Sequence, residues 1–341
     1  MKAPVVVKLG SGLVADPRGR PRRKLLRACA AELAALVEAG TPVCVVSSGA
    51  IALGAARMGL DRPPRSLPRL QAASALGQAA LQRAWQDTFD AHGLKAAQVL
   101  LTAAEVADRR AYVNVRSALG ALFALRAVPV VNENDATATD EISFGDNDAL
   151  AAQVAVLVRA RLLVLLTSVE GVLSHSPGGE LIRDGESARS AVFGAGTATG
   201  RGGMESKVRA AELAAAGGVP AVITSAAALG DVLAGNERGT RFAPTRTGDS
   251  AFKLWLRYGK QVVTRVQVDE GARRAVVADG RSLLAVGVTA WEREFRAGDG
   301  IDLVGPDGTP FARGVSSVDS GELEGRPANV ELVHRDRLVV L

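Results

Sequence analysis

Two hydrophobic patterns alternate along the first 243 residues. Short apolar runs read as buried strands: PVVVKL (4–9), PVCVVSS (42–48), AAQVLL (96–101), VPVVN (128–132), LLVLLTS (162–168) and PAVITS (220–225). Between them apolar residues recur every three or four positions, as on a helix with one buried face. Leu25, Cys29, Leu33 and Leu36 set that spacing over residues 24–39, which Gly40 and Pro42 close. The same reading gives helices over 69–91, 113–127, 149–160 and 205–216, and an Ala-rich helix after Gly49. Buried strands alternating with amphipathic helices predict an α/β fold, a mainly parallel sheet sandwiched by helices. Ligands of such sheets gather at the C-terminal strand edge. Gly10-Ser11-Gly12, Ser47-Ser48-Gly49, Asn132–Asp135 and Thr167-Ser168 each directly follow a predicted strand. Four polar loops are thus expected on one edge.

The pattern changes near residue 244. Residues 244–261 show no clear period and read as a linker. From 262 the chain consists of strand-like runs (VVTRVQVD, SLLAVGV, GIDLVG, PFARGV, NVELV, RLVVL) punctuated by Asp-Gly turns. The expected organisation is an α/β domain over 1–243, the linker, and a small β-rich barrel over 262–341.

Composition narrows the function classes. Of 341 residues 48% are hydrophobic and only 4% aromatic, so the core is built from Ala, Val and Leu. The longest apolar stretch, QVAVLVRARLLVLL, is interrupted by Arg159 and Arg161, which disfavours a membrane span. The start, MKAPVVVKLG, is too short for a secretory signal. Cys29 and Cys44 fall at apolar positions and read as buried thiols, so the cytoplasm is the expected compartment. The net charge of +5 is unevenly spread: residues 262–341 carry 10 Arg against 13 acidic residues, leaving the excess on the larger part. That places an anionic ligand on the α/β domain and argues against a phosphate-backbone binder at the C-terminus. Only seven of the 41 basic residues are lysines, Lys8 and Lys207 among them.

The three histidines, His92, His175 and His334, have no partners at metal-ligand spacing, and no G-x-S-x-G elbow occurs. The stretch GRGGMESK (200–207) lacks P-loop spacing and alone is only a glycine-rich loop before a helix. Phosphoryl transfer to a carboxylate nevertheless needs no histidine, because the nucleophile is already anionic. It needs lysines, helix N-termini and Mg²⁺ to neutralise the transferring group. Lys8, the glycines at 10–12 and 200–203, Lys207, Asp146 and Asp148 offer that set. The residues point to a nucleotide-dependent phosphotransferase with an anionic substrate.

The segments KLGSGLV, SSGAIALG, VVNENDATAT, FGDND and GRGGMESK resemble the amino-acid kinase fold, and more narrowly the glutamate 5-kinases. The C-terminal VDEGARRAVVADGRSLLAVGV…FRAGDGIDLV…ARGVSS resembles a PUA domain. The resemblance spans essentially the whole chain. It implies ATP and Mg²⁺ as cofactors, L-glutamate as substrate, and γ-glutamyl phosphate as product, the first step of proline biosynthesis. It implies that Lys8 and Lys207 hold the phosphates, that Asp148 orients the two lysines, and that Ser48, Asp135 and Asn147 bind glutamate. Gly10, Thr167, Ser168, Arg201, Gly202, Gly203, Met204, Glu205 and Ser206 would line the nucleotide, and no residue is assigned to the metal. A homo-oligomer and hand-over of product to γ-glutamyl phosphate reductase are implied too. A buried Asp135 would pair with the α-ammonium of a free amino acid and would be costly beside an N-acetylated one. Two segments depart from the family pattern, Thr167-Ser168 for Thr-Asp and GVLSHSP for a Gly-Leu-Tyr-Thr-Ala-Asp-Pro-like run. The alternatives are another kinase of the same fold, or an RNA-binding protein with a degenerate kinase domain.

Overall fold

The computed structural model describes residues 2–102, 105–106, 109–137, 147–174, 178–193, 203–245, 248–260, 262–325 and 327–341. The chain divides into two units, Met1–Ala251 and Phe252–Leu341. No helix among the described residues is long and apolar enough to cross a membrane.

The first unit is built on a seven-stranded sheet. Its strands are β1 (Val5–Leu9), β2 (Val43–Ser47), β3 (Ala96–Leu101), β4 (Val128–Glu133), β5 (Leu162–Thr167), β8 (Ala221–Ser225) and β9 (Thr240–Phe242), in the order β3-β4-β2-β1-β5-β8-β9. A small hairpin of β6 (Val172–Leu173) and β7 (Leu181–Ile182) lies apart from it. All neighbours run parallel except β9, which is antiparallel to β8. Every residue of β1, β2 and β4 is buried, as helical cover on both faces requires. Helix Arg23–Glu38 turns Leu26, Cys29, Leu33 and Val37 into the core. Both cysteines are buried and free, and burial pushes the thiols up to about 11 at Cys29 and about 12 at Cys44.

Chain order reverses around β1. Strands β2, β4 and β3 build outward on one side, and β5, β8 and β9 on the other. The crevice above such a reversal is where ligands bind in open α/β sheets. Register sharpens the point. Leu9 pairs with Ser47 on one side and Leu166 on the other. The next residues, Gly10, Ser48 and Thr167, therefore stand at one level above three adjacent strands.

In the second unit, β10 (Val262–Val268), β12 (Val288–Trp291), β13 (Gly300–Val304), β14 (Pro310–Val315) and β16 (Leu338–Val340) form a sheet in the order β12-β10-β13-β14-β16. Strands β11 (Leu283–Leu284) and β15 (Glu331–Val333) form a separate pair. Its core includes Val266, Val268, Ile301, Leu303, Leu332 and Val333. The Arg313 guanidinium grips Asp302 across β13 and β14 with bonds of 2.7 and 3.1 Å.

Three features here differ from the sequence reading. The run EGARRAVV is the helix Glu270–Val277, whose first turn Asp269 caps by accepting from the Ala272 amide at 2.7 Å. The run SLLAVGV is two strands in different sheets, separated by a turn at Ala285–Gly287. Residues 251–259, within the aperiodic stretch 244–261, are helical, and Leu256 packs with Val315 and Val339.

Candidate active site

Lys8 points from β1 into a buried ionic cluster at the C-terminal edge of the sheet. Its Nζ lies 2.6 Å from Asp148 Oδ1. Asp148 is the second residue of helix Asn147–Leu157, where a carboxylate also gains from the helix dipole. Its other oxygen, Oδ2, accepts from Lys207 Nζ at 2.9 Å and from Ser206 Oγ at 3.4 Å. Lys207 sits one turn into helix Gly203–Ala216 and also reaches the Gly203 carbonyl at 3.3 Å. One carboxylate thus bridges two ammonium groups, and all three residues are buried.

Burial alone would raise the Asp148 pKa. Lys8 and Lys207 more than offset it, and the group is held below the usual carboxylate range. Asp148 therefore stays ionised at neutral pH and serves as a counter-ion, with no proton to exchange. The trio carries one net positive charge.

The approach to this cluster fits phosphate. A Cβ at Gly10 would lie 3.8 Å from Lys8 Nζ, and one at Gly203 would lie 3.8 Å from Lys207 Nζ, with no other neighbour inside 4 Å among the described residues at either. Both bare glycine faces open onto ammonium groups, leaving room for an anion between backbone and lysine. Among the described residues no group of three or more His, Cys, Asp and Glu could hold a metal ion.

A second buried carboxylate, Asp135, stands on the loop after β4. Its Oδ2 accepts from Ser74 Oγ at 2.6 Å, and its Oδ1 is buried with no hydrogen-bond partner among the described residues. Burial raises its pKa and the Ser74 bond opposes the rise. A cleft of about 340 Å³ opens beside it, lined in part by Ser74, Gln78, Gln98, Asn134 and Asp135. The Asn147 Oδ1 accepts from the Glu133 amide at 3.1 Å, pinning the start of its helix to the end of β4. Ser48 is buried on the turn after β2. That turn needs Gly49, whose φ is +111° and whose Cβ would sit 2.9 Å from Val14.

The structure thus brings Lys8, Asp148, Lys207, Ser206, Gly10 and Gly203 around one cluster. Met204 and Glu205 are half-buried in the same first helical turn, and Glu205 pairs with Arg209 at 2.8 Å. Thr167 is half-buried at the end of β5, whereas Ser168 is exposed. Arg201, Gly202 and Asp146 lie outside the described residues, as does His175. Sequence reasoning missed Ser74, hidden inside an Ala-rich helix, and gave Asn132 no role beyond its place among the polar loops of the ligand edge. Asn132 is the penultimate residue of β4, with its Nδ2 buried and unpartnered among the described residues.

Residues 3–225 match the amino acid kinase family, the class of protein this fold and site define, and residues 264–327 match the PUA domain. The glutamate 5-kinase of Ectopseudomonas mendocina (strain ymp) is 42% identical, over 98% of this chain and 97% of its own. That of Frankia casuarinae is 44% identical over 99% and 96%. Among solved structures the Giardia carbamate kinase shares the fold, with a TM-score of 0.52 at 18% identity over 71% of this chain and 99% of its own. The chain belongs to the amino acid kinase family, in its glutamate 5-kinase branch.

Proposed function

We propose that this protein phosphorylates the γ-carboxylate of L-glutamate with ATP, giving γ-glutamyl phosphate and ADP. The observation that carries the reading is the buried Lys8–Asp148–Lys207 bridge, with its two glycine faces, whose Asp148 helix is tied to the end of β4, ahead of a second buried carboxylate with one oxygen unpartnered among the described residues. The first feature suits a transferring phosphoryl group, the second an α-ammonium.

In this reading a γ-carboxylate oxygen attacks the γ-phosphorus of ATP in line. The bond to the β,γ-bridging oxygen breaks, and its electron pair leaves with ADP. No proton moves, because the nucleophile is already an anion. Lys8 and Lys207 neutralise charge as it spreads over the transferring group. Asp148 keeps both ammonium groups in place between turnovers. Asp135 Oδ1 takes the α-ammonium, and Ser48 and Asn147 hold the remainder of glutamate. Gly10, Thr167, Ser168 and the segment 201–206 line the nucleotide. Mg²⁺ would enter with the nucleotide and would supply further charge neutralisation. We place the enzyme in the cytoplasm, as a homo-oligomer that passes its acyl phosphate to a reductase in proline biosynthesis.

Hydroxylamine traps an acyl phosphate as a hydroxamate. The expected result is hydroxamate from L-glutamate that depends on ATP and Mg²⁺, with little from N-acetylglutamate or aspartate. N-acetylglutamate as the better substrate would overturn the assignment, because its uncharged amide leaves Asp135 unpaired.

A further inference from the structure

The hydroxyl of Ser74 does something unusual for its position. Ser74 lies inside helix Leu67–Asp90 and is 1% exposed. A buried hydroxyl in a helix ordinarily bonds back to its own backbone one turn earlier. Thr88, in the same helix, does so, donating to the Ala84 carbonyl at 2.6 Å. Ser74 instead donates across to Asp135 Oδ2, also at 2.6 Å. The bond commits one carboxylate oxygen and leaves the other, Oδ1, with no partner among the described residues.

The helix is held in the phase that this bond needs. A Cβ at Gly54 would lie 1.7 Å from the Ala73 carbonyl oxygen, and one at Gly77 would lie 1.8 Å from that of Ala50. Helices Ala50–Arg57 and Leu67–Asp90 therefore touch backbone to backbone on either side of Ser74. Ala50 directly follows the Ser48-Gly49 turn. The crossing ties Ser48 and the Ser74–Asp135 pair into one rigid frame.

We propose that Ser74 is a positioning residue of the amino-acid site, fixing the Asp135 carboxylate so that Oδ1 faces the substrate ammonium. This rests on the reading of Asp135 given above. A neutral donor on one oxygen also favours the ionised carboxylate against the pull of burial. Asp135 makes no ion pair among the described residues, the other buried carboxylate of its segment is Glu133, and the facing helix offers Ser74 and Gln78, neither of them charged.

Steady-state kinetics of Ser74→Ala, Ser74→Thr and Asp135→Asn test the proposal. Ser74→Ala should raise the glutamate KM by about three- to tenfold, the scale of one hydrogen bond to a charged group felt at second hand, with kcat and the ATP KM within about twofold. The acid limb of kcat/KM for glutamate should move to higher pH, and Ser74→Thr should restore both. A glutamate KM and acid limb like wild type in Ser74→Ala, with Asp135→Asn raising the KM, would overturn the role of Ser74 alone. An Asp135→Asn variant with unchanged glutamate KM would instead overturn the amino-acid site. Should Ser74→Ala fail to fold, Ser74→Cys, near in size with a far weaker donor, carries the same comparison.

Discussion

Asp148→Asn removes one negative charge from between two ammonium groups while keeping the side-chain shape. An amide has a single acceptor oxygen. Whichever way it turns, either Lys8 or Lys207 faces an NH₂ at a distance now set at 2.6 or 2.9 Å. The site cannot relax into water, since Asp148 is only 4% exposed and Lys8 equally so. Breaking a buried ion pair from one side costs about 3–5 kcal/mol. That is a large share of the 5–15 kcal/mol or so that holds an ordinary domain together. Urea melts should show the loss as a lower midpoint with unchanged slope. The lysines should also splay apart, so kcat for hydroxamate should fall about a hundredfold or more. A third readout separates this account from simple damage. Nucleotide phosphates bring back negative charge, so saturating ADP should raise the melting midpoint more in Asp148→Asn than in wild type. A variant that loses under about 1 kcal/mol and keeps kcat within about threefold would refute the counter-ion role.

Lys207→Ala should lower kcat about a hundredfold, since the charge it meets is greatest in the transition state, and Lys207→Arg should rescue poorly because the guanidinium fork is larger and its charge more diffuse. Activity within about threefold of wild type in both would remove Lys207 from the phosphate site. On acidification the two carboxylates should part company. The Asp135 pKa lies above the ordinary 3.8 and that of Asp148 below it. As pH falls, the form of Asp135 that binds an ammonium is lost first, so the glutamate KM should climb while kcat holds; a fall in kcat ahead of any rise in KM would contradict the assignment.

Much of the first unit was legible because its signals are local. Runs such as VVV (5–7) and LLVLL (162–166) are apolar throughout, as a strand covered on both faces requires. Placing Gly10, Ser48 and Thr167 at one level followed from the rule that loops of a parallel sheet meet at one edge. That Asp148 joins both lysines was implied only by the family resemblance and by no local signal, since it depends on how Asp148 and Lys207 meet, 59 residues apart in the chain. In the second unit the same local signals misled. EGARRAVV carries four apolar residues in eight, too few to overrule the strand-like text around it, and its helix is declared only by Asp269 as a cap.

Ser74 shows a deeper limit. Within QAASALGQ it is one more small residue on an Ala-rich helix, and serine there reads as harmless filling. Its meaning comes from Gly54 and Gly77, which let two helices meet at backbone distance and so fix the direction in which a short hydroxyl can reach. Small residues are usually taken as permissive, yet here they remove freedom. A bulkier side chain at either glycine would push the helices apart, and Asp135 would lose its donor without any change to Asp135 itself. The frame that holds the Asp135 carboxylate is therefore written partly in residues that carry no chemistry, and it becomes visible only where the two helices cross.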